Sequence, residues 1–122
     1  MKRNLELRRL EWREKSDPQR VVVATLTWCP TDRVNGYPAR YTAILANVRR
    51  EPAASGLVWE VSNPMEAVCH IMLELPKGAR RSRVTDDDAL GKFCVFLMDY
   101  LPDYVARYSL SVDADAPSSC VP

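Results

Sequence analysis

The chain has 122 residues, 47% of them hydrophobic and 27% charged, with a formal net charge of +1. That is the length of one domain, enough to bury about 65% of the unfolded surface, and the ordinary composition excludes global disorder. Near-neutral charge argues against a chain built around non-specific nucleic-acid binding, although a local basic patch stays compatible with it.

Arginine supplies 13 of the 17 basic residues, a bias that fits a GC-rich, bacterial genome. The opening "MKRNLELRRLEWREK" is basic but develops no apolar segment of the secretory kind. No apolar run approaches the roughly 20 residues that cross a bilayer. Cys29, Cys69, Cys94 and Cys120 are irregularly spaced, with no close pair to nucleate a disulfide scaffold or a zinc site. The expectation is a cytoplasmic protein without membrane association, cofactor or metal.

In residues 4–14, Leu5 and Leu7 point one way and Leu10 and Trp12 the other. A helix would scatter these four around its axis, so the reading is a strand with a bulge near Arg8–Arg9, where the inward parity changes. Asp17-Pro18 turns the chain. "VVVATLTWC", residues 21–29, is β-branched and free of Gly and Pro, which marks a strand. Residues 30–38 form a loop turning at Asn35-Gly36. Residues 39–48 return as a strand, 49–56 form a second loop, and 57–61 make a short fourth strand. Loops this short suggest an antiparallel meander.

Asn63-Pro64-Met65-Glu66 then combines a capping side chain, a proline at the first helical position and a reciprocal glutamate, so 63–75 is predicted as a helix ending at Pro76 and Gly78. Strand periodicity competes, because Met65, Ala67, Cys69, Ile71, Leu73 and Leu75 alternate as one apolar face. A second helix is predicted from Thr85, with Asp86, Asp87 and Asp88 in its first turn and Leu90, Phe93, Cys94, Leu97 and Leu101 at helical spacing until Pro102. Residues 103–112 read as either a last strand or more helix. The expected whole is one α+β domain over 1–112, a four-stranded antiparallel meander with two C-terminal helices on one face, followed by a flexible tail at 113–122.

Cys69 and the chain's single histidine, His70, are adjacent. In helix or strand, neighbours point to different faces, so they make no nucleophile–base dyad; Cys69 is read as core and His70 as solvent-facing. Glu66, His70 and Glu74 would share one helical face, a stripe read as a solvated polar surface rather than a metal site.

Two features suit recognition. Lys77, Arg80, Arg81 and Arg83 concentrate between the predicted helices, and guanidinium groups grip carboxylates and phosphates through paired bonds. Trp12, Trp28 and Trp59 fall on three strands, where they either pack the core or form an exposed plate, extended by Tyr37 and Tyr41, for a protein interface or for base stacking. Enzyme templates are absent: there is no G-x-S-x-G, P-loop, Gly-x-Gly-x-x-Gly or H-E-x-x-H.

The leading expectation is therefore a small non-enzymatic binding protein, an inhibitor, antagonist or adaptor, that meets another protein's acidic surface through these arginines and tryptophans. A single-stranded nucleic-acid binder and an enzyme assembled at a dimer interface are the alternatives. Apolar groups on both faces of residues 21–29, with helices for only one face, further suggest a homodimer.

Overall fold

A computed structural model of the chain describes residues 3–17, 19–52, 56, 58–62 and 66–110; of residues 52 and 58–62 only the backbone is considered. The predicted tail lies outside the described residues.

Among the described residues, five strands and one helix follow in chain order: β1 Leu5–Arg13, β2 Arg20–Cys29, β3 Arg40–Pro52, β4 Val58–Ser62, β5 Val68–Glu74 and α1 Arg83–Tyr108. The sheet is antiparallel, in the order β1-β2-β3-β4, with β5 also on β3. The β1 bulge falls between Glu6 and Arg8, one position from its expected place. It lets Leu7 pack against the core that buries Leu10 and Trp12. In the 30–38 loop, Asp32 accepts backbone bonds from Val34 at 3.1 Å and Asn35 at 3.2 Å, and Gly36 supplies the left-handed φ of 76°.

The α+β class and the antiparallel meander stand; the pair of helices does not. Residues 68–74, predicted as helix, form β5. The reason lies in β3, whose 13 residues outrun β4. β4 covers Val48–Pro52 and leaves Arg40–Leu45 with open backbone groups, which β5 then pairs. That ladder satisfies donors and acceptors of two strands, whereas one cap is worth about 1 kcal/mol. β4 and β5 thus succeed one another along the same edge, forming one interrupted fourth row.

The single helix is longer than predicted and runs through Pro102. Proline in a helix costs about 3 kcal/mol. Packing beyond it offsets that cost: Tyr104 is buried and its hydroxyl donates to the carbonyls of Leu45, at 3.3 Å, and of Glu66. Ser82 opens α1 with a capping box to Thr85, and Ser109 closes it in the left-handed region at φ 48°.

Beneath α1, Val22, Ala24 and Leu26 of β2 and Tyr41, Ala43 and Leu45 of β3 meet Phe93, Phe96, Leu97 and Tyr104. The opposite face has its own smaller cluster, Val21, Val23, Ala46 and Val48, in which Val21 is 1% and Val23 4% exposed. Glu11 of β1 and Arg50 of β3 form an ion pair across β2, spanning two strand spacings of roughly 10 Å together. Their aliphatic stems therefore lie over those valines. Burial pushes the Glu11 carboxyl upward, but hydrogen bonds and charge from Arg50 and Arg9 outweigh it and hold the group below its ordinary 4.5. One chain already buries the valines whose exposure suggested a dimer.

Amide exchange distinguishes β5 from a helix. Amides within Val68–Glu74 should alternate between slow, facing β3, and fast, at the free edge; unbroken protection would mean a helix. In urea denaturation, Trp12→Ala should cost about 3–5 kcal/mol, whereas Val34→Ala, at a loop tip, should stay within about 0.5 kcal/mol.

Candidate functional site

Gly78, with φ 86°, and a backbone bond from the Ala79 N–H to the Pro76 carbonyl at 3.0 Å turn the chain after β5. The turn brings residues 79–81 over the end of the sheet just before Ser82 begins α1. There they close one side of a cleft of about 540 Å³. Trp28, Pro30 and Ala39 form its apolar wall, and Arg3, Arg80 and Arg81 supply its charge. Trp28 is half-buried and leans on Tyr41, with ring centroids 4.9 Å apart.

Tyr41 fixes this corner. Its side chain is fully buried in β3, and its hydroxyl donates to Asp86 at 2.6 Å, with the Thr85 hydroxyl 2.7 Å away. Asp86 in turn takes the Arg81 guanidinium in two bonds, 3.0 Å from Nε and 2.8 Å from Nη2. That paired geometry holds a guanidinium far better than a single contact. Arg81 is thereby neutralised and anchored, whereas Arg3 and Arg80 have no carboxylate partner among the described residues. The cleft accordingly presents two unneutralised guanidinium groups beside an indole ring.

The expected site residues divide. Trp28, Arg80 and Arg81 come together; Lys77 and Arg83 are exposed nearby without lining the cleft. Trp12 and Tyr41 are buried in the core, so of the expected aromatic plate the described residues leave Trp28 half-buried and Tyr37 exposed. Trp59 lies on β4, with its side chain outside the described residues. Sequence reasoning missed Arg3, which no local pattern marks, and the anchoring role of Tyr41.

Cys69 and His70 do sit on opposite faces, by strand alternation, and His70 is exposed as expected, but Cys69 is not core. Cys69 is exposed on the open face, where its strand position pairs with Ile44. His70 turns toward α1, with its ring centroid 5.4 Å from Phe96 and 5.0 Å from Tyr100, and its Nε2 3.2 Å from the Tyr100 hydroxyl. Glu66 and Glu74 lie near the two ends of β5, roughly 25 Å apart for an extended chain. Among the described residues no group of three or more His, Cys, Asp or Glu is placed to hold a metal ion, and no helix is long and apolar enough to cross a membrane.

No protein-family model, curated protein or solved structure matches the chain.

Three phenols carry a pH signature. Burial, followed by donation to Asp86, pushes the Tyr41 phenol above its ordinary 10.0. Burial does the same for Tyr104, then the neighbouring Tyr108; Tyr108 itself is raised first by burial. A phenol raised in the folded state contributes fully below its unfolded value, because above that value the unfolded chain releases its proton first. Unfolding free energy is therefore expected to hold up to about pH 10 and to fall above it. Tyr104→Phe should flatten the fall, as read by denaturant titration across that range; an unchanged slope would assign it elsewhere.

Proposed function

We propose that the chain is a non-enzymatic binding protein that docks an acidic segment of another protein in the cleft between Trp28 and the 79–81 turn. The observation that carries this reading is the convergence of Arg3, Arg80 and Trp28 on one cleft, with Arg81 already engaged by Asp86. Guanidinium groups lacking a local anion are ready to accept a partner's carboxylates in paired bonds. The indole offers apolar area to a side chain beside them, the combination common at the energetic centre of interfaces. In this reading the protein acts by occupying its partner, as an inhibitor, antagonist or adaptor does.

The same groups admit a single-stranded nucleic acid. That reading is weaker because burial of Trp12 and Tyr41 removes two of the rings on which successive bases would stack.

Peptide display separates the two. Selection on the wild-type chain should enrich sequences carrying Asp or Glu next to an apolar residue. Binding of the enriched peptides should drop about tenfold or more in Arg3→Ala and Arg80→Ala, the loss of one charge-assisted contact each. Enrichment of neutral or basic sequences, or binding indifferent to both substitutions, would refute the proposal. So would tighter binding of a single-stranded oligonucleotide with a steep salt dependence.

A further inference from the structure

α1 is apolar on two sides. Its inner side buries Ala89, Phe93, Phe96, Leu97 and Tyr104 against the sheet. Its outer side still carries Val84, Val95 and Met98 at 77%, 52% and 45% exposure. Val84, Gly91, Val95, Met98, Pro102 and Val105, with Asp88 as the one polar member, recur in alternating steps of four and three. That is the spacing of a coiled-coil seam. From Val84 to Pro102 its residues are exposed and turned away from the core, while Val105 at its end is partly buried and also packs against the core. A helix apolar on both sides calls for a second partner.

We propose that a second copy of this chain covers this face, through antiparallel pairing of the two α1 helices. Charge on the flank selects the occupant and the direction. Lys92 and Asp99, both exposed, occupy equivalent flanking positions one heptad apart. When Val95 packs on the partner's Met98, Gly91 falls opposite the partner's Pro102 and Asp88 opposite the partner's Val105, near the end of the seam. The same register sets Lys92 beside the partner's Asp99, and two-fold symmetry repeats the contact. A parallel pair would instead press Asp88 against its own image inside the seam. A Cβ at Gly91 would meet nothing within 4 Å, so this point of the seam is open to close approach. The interface is independent of the cleft and stands or falls without it.

The test is sedimentation equilibrium of the full chain beside Lys92→Asp, Asp99→Lys and the doubly exchanged variant. The wild type is expected to dimerise. Each single reversal creates two like-charge contacts and should weaken the dimer about tenfold or more. The double variant should recover, and so should an equimolar mixture of the two single variants. Both positions are exposed, and circular dichroism should show an unchanged fold. A wild type that remains monomeric at about 100 μM, a range where even weak pairs associate, overturns the proposal. Single variants that dimerise like the wild type, or a mixture that fails to recover, also overturn it. So does a dimer dissolved by Ile71→Asp but not by Val95→Asp, since that places the interface on the open sheet face.

Discussion

The Tyr41 hydroxyl is the point on which sheet, helix and cleft all depend. It joins β3 to the first turn of α1 through Asp86 and lies beside the Thr85 hydroxyl of the capping box. Asp86 extends the link to Arg81, and so to the turn that carries Arg80. The Tyr41 ring meanwhile supports Trp28. One buried side chain therefore sets the helix start, the position of the arginine turn and the apolar wall facing it. The network runs from the buried Tyr41 ring outward to the exposed Arg81–Asp86 pair, and its polar groups find partners along the way.

The second constraint is area. One 26-residue helix covers a single face of the sheet. The opposite face is protected differently along its length: over Val21 and Val23 by the bridging Glu11–Arg50 pair, and nearer β5 not at all, where Ile44, Cys69 and Ile71 stay exposed. The outer side of α1 is a second exposed apolar surface, carrying Val84, Val95 and Met98 with Lys92 and Asp99 exposed on the same helix. The proposed helix pairing would set the two clefts about 40 Å apart, near opposite ends of the paired helices, a spacing suited to a partner with two acidic segments.

Much of the sheet was legible because its signals are local. β-branched alternation marked β2, the parity change between Leu7 and Leu10 exposed the bulge, and Asn35-Gly36 marked the loop between β2 and β3. What failed was decided at long range. The 63–66 capping pattern pointed to a helix, but the unpaired half of β3 claimed residues 68–74 for a ladder that no window of local sequence displays. Pro102 read as a stop because the contacts offsetting it, from Tyr104 to Leu45 and Glu66, are distant in sequence. The arginine cluster was visible as composition. Which arginine is engaged and which is free, and that Arg3 joins them from the other end of the chain, follow only from the folded arrangement.

Arginine side-chain NMR, comparing the wild type with Tyr41→Phe, tests this central link most directly. The Arg81 Nε–H should be rigid and slow to exchange in the wild type while that of Arg80 is mobile. In Tyr41→Phe the Arg81 signal should become mobile too, and the amides of residues 77–82 should shift together. An Arg81 guanidinium as mobile as that of Arg80 in the wild type, or one unaffected by loss of the phenol, would contradict the account.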